Sequence, residues 1–290
     1  MMESYAFGTA QFSGKYGITN KTGILLKKEV IKILKYLKKK KIYHIDTSTD
    51  YKQADQKINS IKFRKWKIIT KINPNIVQKL KTHQEIQNKI ENILDLHKKK
   101  LGVKKIHCLL LRNEKYLMKK NSKNLFLALK NLKKKNYFQK FGYSIYSFKN
   151  LKKLFNIFHP DVIQCPFNIF DRRLINTENY TFLKKNKVEI HVRSIFLQGL
   201  LLSDIKDLPK KFKNWNNHFK KWDQWAQNSG LSKLDICVNY PNSIPLIKRI
   251  IFGVENFNQL KQILNVKKKK IICPKYLETN DKKLIDPSRW

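Results

Sequence analysis

The sequence predicts a single (β/α)8 TIM barrel, and three observations support this α/β fold class. Short apolar runs alternate eight times with longer segments of helical period, which indicates a parallel sheet. The 290 residues suit one barrel of roughly 250 residues. No Gly-, Ser- or Pro-rich linker divides the chain. The alternative is an open doubly wound sheet, but the first strand–helix junction, GTAQFSGKYG, lacks the GxGxxG fingerprint of that fold.

Eight segments are predicted as strands because they are short and apolar. In chain order they are Tyr5–Phe7, Ile42–Ile45, Lys67–Thr70, Ile106–Leu111, Phe138–Tyr143, Asp161–Gln164, Val188–Val192 and Arg249–Phe252. If these strands close into a barrel, functional side chains gather at their carboxyl ends. That rule marks the residues that follow each run as candidates for the site.

The segments between the strands are predicted as helices, because their apolar residues recur with helical period. They are Lys27–Lys39, Gln53–Lys62, Thr82–Lys100, Ser122–Lys135, Phe148–Phe158, Arg172–Lys185, Lys210–Asn228, Lys233–Asn239 and Phe257–Leu264. Lysine clusters fall late in several of them, where cations complement the helix dipole. The aromatics between Phe212 and Trp225 either line a substrate loop or form a packed helix face. We expect one domain over residues 1–290, with 266–290 as a Lys-rich C-terminal extension.

The formal charge of +41 raises the question of a polyanionic partner. Only 7 of the 62 basic residues are Arg, and the Lys accompany abundant Asn and Ile, as the codons of an AT-rich genome would produce. Proteins that read nucleic acids depend on Arg for bidentate contacts. We therefore expect no specific nucleic-acid partner, although weak nonspecific polyanion binding stays open.

The four cysteines, Cys108, Cys165, Cys237 and Cys273, are far apart and lack CxxC spacing. This predicts free thiols in a reducing compartment, mostly buried, and no metal site. No apolar stretch approaches the roughly 20 residues that span a bilayer, and the N-terminus lacks the pattern of a signal peptide. The expectation is a cytoplasmic protein with no membrane partner.

Three titratable residues occur at predicted strand ends. Asp46 closes the second strand, Tyr51 follows it, and Lys71 closes the third. A nearby ammonium would lower the high pKa of a tyrosine, and a carboxylate would hold that ammonium in place. Together the three residues could make a general acid. The alternative is structural, because Asp before Thr-Ser is also an ordinary helix-capping signal.

Eight pieces of the chain, in order, resemble the aldo-keto reductases along nearly the whole length. They are FGTAQFSGKYGI, IDTSTDY, IITKI, CLLLRN, FGYSIYS, VIQCPFNIFDRR, VRSIFLQGLLL and IIFGVENFNQLKQIL. The opening block, NIFDRR and RSIFLQGLLL are similar to a bacterial branch often associated with sugar or surface-polysaccharide biosynthesis. The resemblance implies a (β/α)8 barrel that reduces a small aldehyde or ketone, such as a sugar derivative, with NADPH or NADH and without metal.

The resemblance also implies roles for individual residues. Asp46 matches the family's catalytic aspartate, Tyr51 its proton donor and Lys71 its lysine. Ser144 and Gln164 match positions that contact the nicotinamide amide, and Arg193 stands where an aromatic ring often stacks on it. Further cofactor positions carry over at Gly8, Thr9, Ser194, Gly199, Gly253 and Gln259. We expect a monomer or a weak homo-oligomer.

The main departure from the family pattern is Arg112, which stands where the family has a catalytic histidine. Arg112 either polarises the substrate carbonyl as a fixed donor or fills the pocket. In the second case the barrel has lost turnover and acts as a nucleotide-binding scaffold, or it binds an acidic substrate. No Arg or Lys for a 2′-phosphate is visible at the matching positions, so the sequence does not decide between NADPH and NADH.

Overall fold

Eight parallel strands form one closed barrel in chain order, which confirms the predicted fold class. A computed structural model describes residues 2–112, 114–118 and 122–290. The strands are β1 (Tyr5–Gly8), β2 (His44–Asp46), β3 (Lys67–Ile72), β4 (Ile106–Leu111), β5 (Phe138–Ser144), β6 (Val162–Pro166), β7 (Glu189–Arg193) and β8 (Ile247–Phe252). Asp46, Ser144 and Arg193 are thus each the last residue of a strand.

Twelve α-helices surround the barrel or lie in its loops within the described residues. They are α1 (Ala10–Ser13), α2 (Lys27–Lys39), α3 (Ala54–Asn59), α4 (His83–Leu101), α5 (Glu114–Leu117), α6 (Ser122–Lys134), α7 (Leu151–Ile157), α8 (Thr177–Lys185), α9 (Asn216–Asn228), α10 (Lys233–Asn242), α11 (Phe257–Asn265) and α12 (Lys282–Ile285). Three predicted helices begin late. The segment predicted from Phe148 becomes helical at Leu151. The segment predicted from Arg172 has a 3-10 helix at Arg173–Ile175 and becomes α-helical at Thr177, and the one predicted from Lys210 starts as a 3-10 helix and turns into α9 at Asn216.

Local capping explains where the helices begin and end. The Asn176 side chain accepts a hydrogen bond from the backbone N–H of Glu178, which starts α8 later than its apolar pattern suggests. Thr82 and Glu85 form a capping box at the start of α4. Gly102 ends the same helix with a positive φ of 69°, a conformation that favours glycine.

The barrel interior has an apolar middle flanked by polar side chains. Successive residues of a strand point to opposite faces, so Glu189, His191 and Arg193 of β7 share the inner face. The apolar middle consists of Ala6, Ile69, Cys108, Leu110, Val162 and Ile251. We call the polar residues toward the strands' carboxyl ends the carboxyl-end cluster: Asp46, Lys71, Ser144, Gln164 and Arg193. Those toward the amino ends form the amino-end cluster: His44, Lys140, Glu189, His191 and Arg249.

The C-terminal segment packs against the barrel after an exposed run of lysines. Residues 267–270 are exposed, whereas Ile271, Leu277, Leu284 and Ile285 are buried in the main core. The aromatics from Phe212 to Trp225 contribute to that same core, since Phe212, Phe219 and Trp222 are almost fully buried. The packed-face interpretation of these aromatics is therefore confirmed.

The remaining sequence expectations concern thiols, metals and membranes. All four cysteines are free, and three of them are buried. Across residues 2–112, 114–118 and 122–290, no group of three or more His, Cys, Asp or Glu side chains could hold a metal ion. Over those same residues, no helix combines the length and apolarity needed to cross a membrane.

Candidate active site

A buried ion pair between Asp46 and Lys71 lies at the centre of the carboxyl-end cluster. The Lys71 Nζ donates to Asp46 Oδ1 at 2.6 Å and to the Thr47 carbonyl at 3.1 Å. The two side chains are only 8–9% exposed. A charged pair at this depth is stable only when its hydrogen bonds are satisfied. The structure thus brings together two of the four residues predicted to be catalytic.

Gln164 and Ser144 extend this pair into a hydrogen-bonded chain across the barrel. Gln164 Nε2 donates to Asp46 Oδ2 at 2.8 Å, and Ser144 Oγ donates to Gln164 Oε1 at 3.3 Å. The strands set the positions of both residues, because Ser144 ends β5 and Gln164 on β6 pairs with it in register. The resemblance implied an amide-binding role for these two residues, and the structure joins both to Asp46, a link that the sequence did not predict.

Thr9 connects the end of β1 to Asp46. Its backbone N–H and its Oγ1 both donate to the Asp46 carbonyl, at 3.0 and 3.1 Å. Gly8, which precedes it, pairs with Asp46 in the β1–β2 register. The two predicted cofactor positions therefore border the Asp46–Lys71 pair.

Tyr51 lies on the loop that follows β2, and that loop is held against β3. The hydroxyls of Ser48 and Thr49 donate to the Lys71 carbonyl at 3.3 and 3.1 Å. The backbone N–H of Tyr51 donates to the Ser48 carbonyl at 3.0 Å. Its own hydroxyl forms no hydrogen bond with any described residue, so the phenol is positioned by its backbone and remains available to a ligand.

The electrostatics of Tyr51 differ from the expectation. Burial raises the pKa of Tyr51, and the Asp46 carboxylate raises it further. The largest opposing effect is that of Arg193, which lowers this pKa. We expected Lys71 to lower it, but the Lys71 charge is neutralised by Asp46 at 2.6 Å. Tyr51 is therefore a weak acid in the ligand-free protein.

Arg112 is bound by a carboxylate outside the cluster. It follows β4, and its Nη2 forms an ion pair with Asp50, the residue before Tyr51. The two side chains are 39% and 42% exposed. The next residue, Asn113, lies outside the described residues. Asp50 had no role in the sequence analysis, although its position next to Tyr51 was a signal that could have identified it.

Arg193, at the end of β7, has a different environment. Its guanidinium carbon lies 4.0 Å from the centre of the Tyr146 ring. Its two terminal nitrogens donate to the Ser194 hydroxyl at 3.4 Å and to the Ile145 carbonyl at 3.2 Å. No acidic side chain among the described residues forms an ion pair with it. Tyr146, which the sequence analysis missed, follows Ser144 by two residues and is 39% exposed.

The loop after β7 has an unusual backbone. Ser194, Leu197 and Gln198 have positive φ values of 61°, 47° and 54°. Such conformations cost free energy in residues other than glycine and concentrate at ligand sites. Gly199 has φ 97°, and a Cβ there would collide with the Thr19 hydroxyl, which explains the glycine. Ser194 and Gly199, both predicted to contact cofactor, thus border a strained loop.

The two remaining predicted cofactor residues lie after β8. A Cβ on Gly253 would collide with the Gln11 side chain. Gln259 Oε1 accepts a hydrogen bond from the Glu255 backbone at 2.7 Å, and Asn256 caps α11. These residues order the loop at the start of α11. No hydrogen bond among the described residues joins them to the Asp46 side chain.

Comparisons with known proteins agree with the architecture. The sequence profile described as the Aldo/keto reductase family matches residues 5–273. No curated protein sequence matches the chain significantly. The thermostable aldo-keto reductase Tm1743, solved with the inhibitor epalrestat, is similar in structure, with a TM-score of 0.68 and 18% identity over 93% of this chain and 91% of that one.

A second solved structure is that of the Pseudomonas aeruginosa protein PA4992, which is assigned to the aldo-keto reductases. Its TM-score is 0.60, with 15% identity over 91% of this chain and 88% of that one. At such low sequence identity these two structures support only the fold. The assignment to a family rests on the match to the family profile.

Proposed function

This chain belongs to the aldo/keto reductase family, and we propose from its site that Tyr51 is the proton donor of its reaction. The family implies an NAD(P)-dependent oxidoreductase that reduces a small carbonyl compound. The observation that carries the proposal is the buried Asp46–Lys71 pair near a tyrosine whose hydroxyl forms no hydrogen bond with any described residue. A substrate oxygen would be that missing partner.

The chain's own residues would prepare the proton transfer. Tyr51 is protonated at neutral pH and can donate to a carbonyl oxygen as negative charge develops there. Because burial raises its pKa, this donation depends on groups that stabilise the phenolate. Gln164 holds Asp46, which in turn holds Lys71 in place. The Arg193 guanidinium, which lowers the pKa of Tyr51, would stabilise the phenolate left after donation. When bound, reduced nicotinamide supplies the hydride.

The residues of this face fit a nicotinamide nucleotide. Ser144 and Gln164 offer a hydroxyl and a carboxamide, which can pair with an amide group. The strained loop from Ser194 to Gly199 would follow the ribose and pyrophosphate. We propose that Gly8, Thr9, Ser144, Gln164, Ser194, Gly199, Gly253 and Gln259 hold the cofactor.

We propose that the cofactor is NADH rather than NADPH. The resemblance places residues 253–259 near the adenosine end, and Glu255 supplies a carboxylate in that segment. An acidic residue suits a ribose hydroxyl, whereas a cation suits a 2′-phosphate. NADH should therefore bind more tightly than NADPH in a fluorescence titration. Glu255→Gln should reduce the difference in affinity between NADH and NADPH. Tighter binding of NADPH than of NADH to the unmodified chain would contradict the proposal.

The test of the catalytic proposal is Tyr51→Phe, which removes the hydroxyl and little else. NAD(P)H consumption would be measured with a panel of aldehydes and keto-sugars, since a sugar derivative is one substrate that the resemblance implies. We expect the rate to fall by about 10²- to 10⁴-fold, with cofactor affinity nearly unchanged. Full activity in this variant would refute the role of Tyr51.

A second candidate function is a nucleotide-binding scaffold with little turnover. It is favoured by the Arg112–Asp50 pair, because an arginine that is bound to a carboxylate is a poorer donor to a substrate. This candidate predicts cofactor binding without oxidation across the whole panel. It also predicts that Arg112→His, which restores the family's residue, raises the rate. Turnover by the unmodified chain would exclude it.

A further inference from the structure

We propose that Arg193 binds an anionic group of the substrate, so that the preferred carbonyl substrates carry a carboxylate. This inference rests on the proposed function, because it concerns the substrate of the same site. Arg193 is placed for this role by its position at the end of β7, on the same inner face of the barrel as the rest of the carboxyl-end cluster.

The charges at this end of the barrel leave Arg193 without an acidic partner. Lys71 is neutralised by Asp46, and Arg112 is neutralised by Asp50. Arg193 forms no ion pair with any residue in the described ranges, and its only hydrogen-bond acceptors there are a hydroxyl and a backbone carbonyl. A guanidinium stays charged at any physiological pH. A ligand that carries negative charge is therefore favoured here over a neutral one.

The geometry of Arg193 suits a carboxylate in particular. A guanidinium has five N–H groups, and two of them are used, for Ser194 and Ile145. The others donate to no described residue and can form the paired hydrogen bonds that match a carboxylate. The Tyr146 ring covers one face of the guanidinium at 4.0 Å and fixes its plane, so the edge with the N–H groups is pre-oriented.

The position of Arg193 relative to Tyr51 also fits a small substrate. Arg193 pairs in register with Pro166, two residues beyond Gln164, whose side chain donates to Asp46 on the strand that leads to Tyr51. The charge of Arg193 also lowers the pKa of Tyr51. The two groups therefore lie in one electrostatic environment. A molecule of a few carbon atoms could place its carbonyl at Tyr51 and its carboxylate at Arg193.

The experiment compares two aldehydes of the same shape and different charge. These are p-carboxybenzaldehyde and its neutral amide, p-formylbenzamide, and kcat/KM is measured for both. We expect the ratio of the two values to favour the carboxylate by about tenfold or more. Arg193→Gln should bring the ratio close to one. A ratio near one in the unmodified chain, or one that survives in Arg193→Gln, would overturn the proposal.

Two controls separate a specific contact from general charge. Lys149→Gln removes an exposed cation from the loop after β5 on the same side of the barrel, and it should leave the ratio unchanged. If Lys149→Gln lowered the kcat/KM ratio as much as Arg193→Gln does, the result would count against a specific contact. If Arg193→Gln does not fold, Arg193→Lys replaces it. Lysine keeps the charge and loses the planar fork, so an unchanged ratio in that variant would contradict the proposal.

A binding measurement distinguishes failure of this inference from failure of the proposed function. Calorimetry with the unreactive pair p-toluate and p-toluamide reports anion binding without turnover. Tighter binding of p-toluate that is lost in Arg193→Gln supports the anion site, even if neither aldehyde is reduced and the reductase proposal fails. Reduction of both aldehydes at equal rates, with equal binding of the two unreactive compounds, leaves the reductase and rejects the anion site.

Discussion

Buried charges occur at both ends of this barrel, and they are paired in different ways. At the carboxyl end, Lys71 and Asp46 form one tight pair, while Arg193 keeps unused N–H groups. At the amino end, one carboxylate, that of Glu189, has several partners, of which Lys140 and Arg249 are cations. It accepts from His191 at 2.8 Å and from Lys140, and it lies 3.7 Å from Arg249.

The histidines sharpen this contrast, because the two that belong to a cluster, His44 and His191, both lie in the amino-end cluster. Burial lowers the pKa of His44 to about 3, with Arg249 and His107 acting in the same direction. Burial also lowers the pKa of His191, although Glu189 opposes this effect. The pKa of Glu189 is held low, since hydrogen bonds from His191 and Lys140 outweigh its burial.

The two ends of the barrel therefore differ in their capacity for chemistry. A fully engaged carboxylate such as Glu189 has no capacity left for a ligand, so its cluster contributes to stability. At the carboxyl end, Tyr51 and Arg193 have hydrogen-bonding groups that no described residue uses, beside a fixed ion pair. This division agrees with the general rule that TIM barrels place their sites at the carboxyl ends of the strands.

The largest effect is expected from Lys71→Met, which breaks the carboxyl-end pair. The Asp46 carboxylate would lose its charged partner, so carbonyl reduction should fall by about 10²- to 10⁴-fold. The free energy of unfolding should fall by about 3–5 kcal/mol, as for other buried pairs that lose one partner. Steady-state rates and denaturant titration measure the two effects. A variant with normal activity would remove Lys71 from the mechanism.

Glu189→Gln tests the amino end and should separate stability from activity. It leaves Lys140, His191 and Arg249 without their carboxylate, so we expect the free energy of unfolding to fall by about 3 kcal/mol. The kcat/KM at a temperature where the variant is folded should not change. Glu178→Gln is the matched control, because that glutamate belongs to an exposed pair with Lys152. Loss of activity in Glu189→Gln would mean that the two clusters are coupled.

Acidification should destabilise the protein through the amino-end cluster. The pKa of His44 is lower in the folded chain than the value of about 6.5 in the unfolded chain. The unfolded state then binds more protons, and stability is lost as the pH falls below that value. Between about pH 7.5 and about pH 5 the loss should reach about 2 kcal/mol for His44.

Denaturant titrations at both pH values measure this loss, and His44→Gln provides the comparison. That variant should show a smaller dependence on pH, whatever its stability at neutral pH. An equal dependence in the variant and the unmodified chain would show that His44 is not responsible.

The smallest effect is expected from Asp50→Asn, because the Arg112–Asp50 pair is about 40% exposed and belongs to neither cluster. Exposed ion pairs contribute under about 1 kcal/mol, so the thermal midpoint should barely move. Freed from Asp50, Arg112 could donate to a substrate, and the KM for a carbonyl compound should change. A large loss of stability would show that this pair supports the Tyr51 loop.

Much of the site can be predicted from the sequence, because the carboxyl end of a barrel strand can be recognised from a few neighbouring residues. A short apolar run ends, and the polar residue that follows lies at the mouth, as Asp46, Ser144 and Arg193 do. The same reasoning assigned no role to Asp50, which directly precedes Tyr51, or to Tyr146, which lies two positions beyond Ser144. It also assigned the tuning of Tyr51 to Lys71, because a linear pattern does not reveal that Asp46 already neutralises that lysine.

Periodicity and burial act over a few neighbouring residues, so the residue pattern is enough to predict the order of strands and helices and hence the closed barrel. Which charges meet depends on the three-dimensional structure. Asp46 bonds Gln164, 118 positions away, and Arg112 bonds Asp50 rather than a member of the cluster. Ion pairing depends on distances of a few ångströms between side chains of different strands, and chain closure sets those distances. For the same reason, the unpaired state of Arg193 becomes visible only in three dimensions.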